Sequence, residues 1–545
     1  MKSTVPIARE PLHPAGTSVA GAPSPFEIIE VVLLVRGTST GEVRAESLER
    51  LSRQLPRERQ YLDRAEYEKI HGARPEDLAV LRSVTAEAGL VTRRVSRAAR
   101  YVRLSGTVQN FETTFGVKFF TMQGPLGEYR SHRNPVYLPG RLEGIVEAVV
   151  GFDTKRHPRP MSPGAASATT GSSGPRPQDV ADAYDFPERL AGRGRRIGII
   201  ELGGGFHRSD LETYFSSFGL RIPEIEIIST HKKLGNNPSP KALLAAFATG
   251  AASGKLPEIP DAEQARFSAT VETTLDLQVA GSLANGADLV ACFATQTSAG
   301  VFLGLAEFLD PARPLVDVIS LSWSGPESMY EPGDRWAIDT AVEAAALCGI
   351  AVCCSSGDSG GGETNGSAPE VNYPPANPWV LACGGTHLAL HGSIVSEAVW
   401  NEKVFGERKS SGGGVSALYP MPAWQKASGI QSKLPNPGRG VPDVSAKADV
   451  QHGFPICIGG VEAYIGGGTS AASPLWAALA ARLSEGLDHR LGSFVPLLYR
   501  PPFTSGFRDV VKGTNGTYRA SPGWDPCTGW GSPIGTRLLT LLSAQ

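Results

Sequence analysis

The sequence predicts an α/β protein: a doubly wound parallel sheet with helices on both faces, preceded by a smaller α+β unit. Three observations carry this reading. Near-continuous apolar strand candidates recur at 195–202, 287–294, 316–323, 349–356 and 379–385, the pattern of strands buried on both faces. Helical stretches such as Trp336–Cys348 separate several of them, as crossover connections require. Glycine clusters at Gly203–Gly205, Gly357–Gly362, Gly412–Gly414 and Gly466–Gly468 fall at strand ends, where such sheets gather their chemistry.

Taken in order, residues 1–25 read as a flexible lead. The run EIIEVVLLVR is a buried strand; helices follow at Asp63–His71 and Pro75–Ala88, then the strand ARYVRLSG and a short helix at Val108–Phe115. This first domain spans 26–158. The stretch 159–177, rich in Ser, Gly, Pro and Ala, reads as a linker open to proteolysis. The second domain fills 178–545, and no internal repeat is evident.

Composition narrows the function. With 41% hydrophobic and 19% charged residues the chain is not disordered, and no apolar run is long enough to span a membrane. The net charge of −2 conceals a split: residues 1–160 carry +6 and the remainder −8. Two units of opposite sign attract each other. The basic residues are dispersed, so no nucleic-acid surface is read from them. Seven cysteines, odd in number and without a CxxC, read as buried thiols. The N-terminus lacks the apolar segment of a conventional signal peptide. Asn365 and Asn515 begin glycosylation sequons.

Four constellations could carry chemistry. The string IGGGTSAASP, ending at Pro474, precedes the helical LWAALAARLSEGL. It sets the Ser470 hydroxyl at a helix start, where backbone N–H groups favour developing negative charge. A capped glycine loop is the bland alternative, but the whole string points to a nucleophile. Such a serine needs a base. None of the ten histidines lies in a suitable helix start, and His387 and His391 lack the glutamate of a zinc-protease helix, so they are not read as a metal site. In SATVETTLDLQVAGSL, Val271, Leu275, Val279 and Leu283 form a buried stripe, and Glu272 and Asp276 a second i,i+4 row. Carboxylates that close raise the pKa of one member; a solvated acidic face is the alternative.

The third constellation, SSGDSGGG, places Asp358 just after an apolar strand, either as an Asx turn or as a carboxylic acid donating to an oxyanion. The fourth is C-terminal: Asp509 and Asp525 flank a loop containing Gly513, Gly516 and Gly523, a pattern that suits calcium and also ordinary turns. GAASGKL at 250–256 fails as a phosphate loop for want of the first glycine and a hydroxyl after Lys255.

These strings resemble the sedolisin-type serine-carboxyl peptidases, nearest the kumamolisin branch. The resemblance rests on IIELGGG at 199–205, E-x-x-x-D at 272–276, ISLSWSGPE at 319–327, SSGDSG at 355–360, VLACGGT at 380–386, GGTSAASP at 467–474, and the C-terminal RDV and SPGWDPCTGWGSPIG. SGTVQNFETTFGVKF and EYRSHRNPVYLPGRLEGIVEAVVGFDT resemble the family's prodomain. The resemblance implies a subtilisin-like sheet behind a ferredoxin-like prodomain, and an acid-acting endopeptidase made as a self-processing zymogen. By the same resemblance Ser470 is the nucleophile, Glu272 the base, Asp276 its partner and Asp358 the oxyanion stabiliser, with Glu201 and Trp323 extending the network. One structural calcium ion would be held by Asp509, Val510, Ser521, Gly523 and Asp525. The partners implied are protein or peptide substrates and the chain's own prodomain as inhibitor, in a secreted monomer.

Three departures stand out. Ser521 replaces a glycine, 232–266 is longer than in kumamolisin, and Asn372 stands at an often acidic position. Two other classes remain: a histidine-based subtilisin-like protease, and a non-catalytic binding protein on the same scaffold.

Overall fold

In the computed structural model, the described residues are all but 1–5, 126, 157–158, 161–173, 254–255, 362–369, 392–393, 405–406 and 545. Most of the predicted linker, the end of the Asp358 glycine loop and the Asn365 sequon therefore lie outside them.

The first domain is built on a four-stranded antiparallel sheet in the order Val91–Ser96, Tyr101–Thr107, Ile28–Val35, Val146–Val150. Helices Pro75–Glu87 and Val108–Phe115 connect these strands as in a ferredoxin-like fold. The strand Ile28–Val35 is apolar on both faces because one face packs on Leu78, Leu81 and Phe111 and the other meets the second domain. The lead expected to be flexible contains a strand, Ser18–Gly21, paired with Phe119–Gly124. Ile7 N–H also donates to the Val136 carbonyl at 2.8 Å. Main-chain pairing, which side-chain polarity does not reveal, orders this stretch.

The second domain carries an eight-stranded sheet whose main path runs Ile225–Ser229, Asp288–Phe293, Arg196–Glu201, Val318–Leu321, Ala351–Ser355, Leu381–His391, Ile394–Val399, with Val444–Lys447 also paired to Leu381–His391. All pairs are parallel except Leu381–His391 with Ile394–Val399, an antiparallel edge hairpin. The predicted strand at 379–385 therefore starts later and runs further, to His391.

Two helices fix the site. Asp261–Leu283 is longer than its apolar stripe suggested, and Thr469–Leu487 is buried along almost its whole length. They pack on each other and on the sheet. A helix buried all round needs its polar side chains satisfied internally. Thr270, Thr273 and Thr274 do so by donating to the carbonyls four residues back, each at 2.8 Å. Gln278 exchanges two hydrogen bonds with the Cys457 main chain.

Within 232–266 the chain forms a helix, Lys241–Ser253, against the hairpin Phe454–Ile458/Val461–Gly466. Its entry is pinned by Ser239 N–H on Thr270 Oγ1 at 2.9 Å and Asn237 N–H on the Gly204 carbonyl at 2.9 Å. All seven cysteines are buried and unpaired. Asn515 is 2% exposed, so its sequon is no glycan acceptor in the folded protein.

Candidate active site

Ser470 sits in the first turn of Thr469–Leu487 because Gly468, at φ +76°, turns the chain into the helix through a positive-φ conformation that glycine adopts readily. Its hydroxyl donates to Glu272 Oε1. The helix Asp261–Leu283 presents Glu272 and, one turn on, Asp276, and both are 0% exposed. That burial excludes the solvated acidic face. Ser322, at the end of the Val318–Leu321 strand, donates to Asp276 Oδ1 at 3.0 Å, and its hydroxyl lies 3.3 Å from the Ser470 carbonyl oxygen.

Glu201 closes the Arg196–Glu201 strand and accepts from Trp323 Nε1 at 3.2 Å. The second oxygens of Glu201, Glu272 and Asp276 find no hydrogen-bond partner among the described residues. Burial pushes all three carboxyls well above the usual range, and Asp276 repels charge on both glutamates. The cluster therefore holds protons, and one ionised member suppresses ionisation of its neighbours.

Asp358 follows the Ala351–Ser355 strand. Its Oδ1 accepts from Thr469 N–H at 2.9 Å and Thr469 Oγ1 at 2.8 Å, which fixes the carboxyl beside the turn that carries Ser470. The Thr469 hydroxyl in turn lies 3.1 Å from Gly357 N. All six residues singled out from the sequence thus converge on one buried site. Ser322 and Thr469 were missed as participants, although both lie inside quoted motifs; a hydroxyl in an apolar motif was the available signal.

The approach to Ser470 is covered. The strand Trp323–Pro326 pairs with Asn372–Tyr373 on one side and with Arg159–Pro160 on the other, Trp323 opposite Pro160 and Ser324 opposite Arg159. Asn372 Nδ2 donates to Ser324 Oγ at 3.1 Å. The chain leaving the first domain thus adds a strand beside the site, as an extended peptide would.

The first domain docks through a shared apolar cluster that joins Val32, Leu34, Tyr67 and Tyr101 to Phe302, Leu303 and Ile338. Cations of the first domain meet anions of the second around it. Arg94 pairs with Glu307 and with Asp310 at 2.9 Å, Arg44 with Glu343 at 3.1 Å, and Lys155 with Glu331 at 3.6 Å.

At the C-terminus, Asp509 Oδ2 accepts from Gly523 N–H at 2.7 Å and Asp525 Oδ2 from Ser521 N–H at 2.9 Å. Both carboxylates thus face one turn, 521–525. Asp525 is 1% exposed, burial raises its pKa to about 6, and neither aspartate has a basic side-chain partner among the described residues. Asp525 Oδ1 also accepts from the N–H groups of Cys527 and Thr528 at 2.8 and 3.0 Å, and two carboxylates without a cationic partner on one turn are the donor chemistry that fits a hard cation such as calcium. Lys433 Nζ donates to the Pro522 carbonyl.

A buried serine hydrogen-bonded to a carboxylate rather than an imidazole, on a parallel sheet masked by an N-terminal domain, defines a serine-carboxyl peptidase with its activation domain attached. Comparisons with known proteins agree. A family model described as the pro-kumamolisin activation domain matches residues 15–155. Kumamolisin of Bacillus sp. (strain MN-32) is 38% identical over 536 residues, 94% of this chain and 91% of the relative. Sedolisin of Pseudomonas sp. (strain 101) is 30% identical over 430 residues, 73% of this chain and 67% of the relative. A solved structure of Pseudomonas sedolisin, a serine-carboxyl proteinase complexed with two molecules of pseudo-iodotyrostatin, shares 28% identity at a TM-score of 0.56, covering 68% of this chain and 98% of that one. The chain belongs to the sedolisin family of serine-carboxyl peptidases, in its kumamolisin branch.

Proposed function

We propose that the protein is a secreted endopeptidase, acting in mildly acidic conditions, that frees itself from its prodomain by cutting within 159–177. The observation that carries this reading is the Ser470 hydroxyl donating to Glu272 inside a proton-holding carboxyl cluster. In the proposed reaction Ser470 Oγ attacks the scissile carbonyl carbon while Glu272 takes its proton. Asp276, held by Ser322, is the partner that orients Glu272 and shares the pair's proton with it, and Glu272 reacts in its ionised form. Asp358, as a carboxylic acid anchored by Thr469, donates to the oxyanion. Collapse expels the amine, which takes the proton from Glu272, and leaves an acyl ester on Ser470. Water attacks that ester with Glu272 again as base and releases the acid product. Glu201 and Trp323 position the base from behind.

A carboxylate base suits low pH, where an imidazole would be protonated. This, with no histidine hydrogen-bonded to Ser470 among the described residues, sets the histidine-based reading aside. The intact catalytic set disfavours a binding protein. Calcium bound by Asp509, Asp525 and the carbonyls of Val510, Ser521 and Gly523 would neutralise the exposed Asp509 and the buried Asp525 and brace the C-terminal loop. Burial raises the Glu331 carboxyl, so acid loosens its pair with Lys155, while the apolar contact holds until the linker is cut. Incubating the activated enzyme with a denatured protein at about pH 4, in the carboxylate titration range, tests the substrate reading. Internal fragments support it; release of N-terminal tripeptides alone replaces it with an exopeptidase.

A further inference from the structure

Three ligand-type side chains that take no part in acyl transfer meet on the far side of the serine turn. His387 lies in the strand Leu381–His391, and Asp449 and His452 lie in the loop that follows Val444–Lys447. His387 Nδ1 is 3.1 Å from Asp449 Oδ2, and His452 Nδ1 is 3.4 Å from the same oxygen. The three donor atoms all lie within 4.8 Å of one another.

The carboxylate is unusual in its presentation. Asp449 is 1% exposed, and its Oδ1 is tethered to the buried Lys447 Nζ at 2.6 Å. Oδ2 faces both imidazole nitrogens at ion-pair distance. A carboxylate fixed through one oxygen, with the other aimed at two imidazoles, is the arrangement of an oriented metal ligand. Tetrahedral zinc with bonds near 2.0–2.1 Å separates adjacent ligand atoms by about 3.3 Å, and the two measured separations bracket that value. The imidazoles are 40% and 48% exposed, so they can close on an ion and leave a water its fourth position.

We propose that His387, Asp449 and His452 form a binding site for a divalent transition metal of the zinc class, separate from both the catalytic cluster and the calcium loop. Imidazole with a single carboxylate suits zinc better than calcium or magnesium. The site is also connected. Ala448 N–H donates to the Thr386 carbonyl at 2.9 Å, and Gly468 N–H donates to the Ala448 carbonyl at 2.7 Å. An ion there would tie the His387 strand to the turn that carries Ser470. His387 and His391, not read as a metal site from their spacing, stay apart along their strand, and His387 meets Asp449 and His452 instead.

The test uses the full-length Ser470→Ala protein, stripped with chelator and kept in saturating calcium so that the oxygen site is filled. Zinc chloride is titrated at about pH 7.5, where unperturbed imidazoles are neutral, and binding is read by calorimetry and metal content. The site predicts one zinc per chain, affinity at least tenfold weaker in His387→Ala and in His452→Ala, and a zinc-dependent rise in melting temperature that the double variant lacks. Cobalt(II) in place of zinc should give visible ligand-field absorption that His452→Ala removes. No zinc uptake would mean a plain histidine–aspartate ion pair, and equal uptake by the double variant would place the ion elsewhere; either result overturns the proposal.

Discussion

Ser470 and Glu272, far apart in the chain, meet as hydroxyl donor and carboxylate acceptor where two buried helices cross. Neither helix could bury so polar a pair without reason. Asp276 and Glu201 add two more carboxyls to the same dry site, so the cost of desolvation falls where protons are to be moved.

The first prediction isolates the base. Glu272→Gln keeps an oxygen to accept from Ser470 but cannot take its proton, so kcat should fall by about 10²–10⁴-fold. The melting temperature should hold or rise, because one buried carboxyl is gone. Peptide hydrolysis and a thermal melt on the same preparation check both halves; an active Glu272→Gln variant contradicts the assignment.

The carboxyl cluster's share of stability should depend on pH with a definite sign. Glu201, Glu272 and Asp276 bind protons more tightly folded than unfolded. Their contribution is fully present below the ordinary carboxylate range and is lost as pH rises through their raised values. Asp339, pushed up to about 6 by burial, and Asp334, to about 7, act in the same direction. In the Ser470→Ala protein these groups favour the folded state near pH 4 over neutrality, against the opposite pull of His71 and Asp449, whose pKa values folding lowers, and Glu201→Gln should shift the balance of the melt towards neutral pH. A pH profile of the melt unchanged by Glu201→Gln refutes the sign.

Several features were legible before folding was considered. Glycines ahead of an apolar helix marked Ser470, and i,i+4 spacing marked Glu272 and Asp276. What spacing could not say was whether that carboxylate row faced water, because the helix's other faces are covered by elements distant in sequence. Ser322 and Thr469 were hidden for the same reason: their hydroxyls matter through tertiary contacts with Asp276 and Asp358. The Ser18–Gly21 strand is invisible to hydropathy because its residues are exposed and only its backbone is paired.

Prodomain docking is tested at Arg94, whose guanidinium serves both Glu307 and Asp310. Arg94→Ala leaves Glu307, 1% exposed, with Arg313 alone. Losing one partner of a buried charge pair typically costs 2 kcal/mol or more, about 30-fold in an equilibrium. Full-length Arg94→Ala should process several-fold faster than wild type at the same acidic pH. Identical time courses would leave docking to the apolar contact alone.

Calcium removal should act on stability before chemistry. Chelation, or Asp509→Ala, is expected to lower the melting temperature by a few degrees, consistent with about 2.7 kcal/mol for a ligand at a hundred times its Kd. Added calcium should restore wild type but not the variant. A melt indifferent to calcium in the wild-type protein removes the ion from the account.

The most direct measurement follows the purified precursor at about pH 4 beside its Ser470→Ala counterpart, by mass spectrometry over time. Wild type should shorten by a cut within 159–177 and form a transient acyl ester on Ser470 with peptide substrate, while the variant stays full length. Equal shortening of both proteins, or an intact wild type, would contradict self-processing by Ser470.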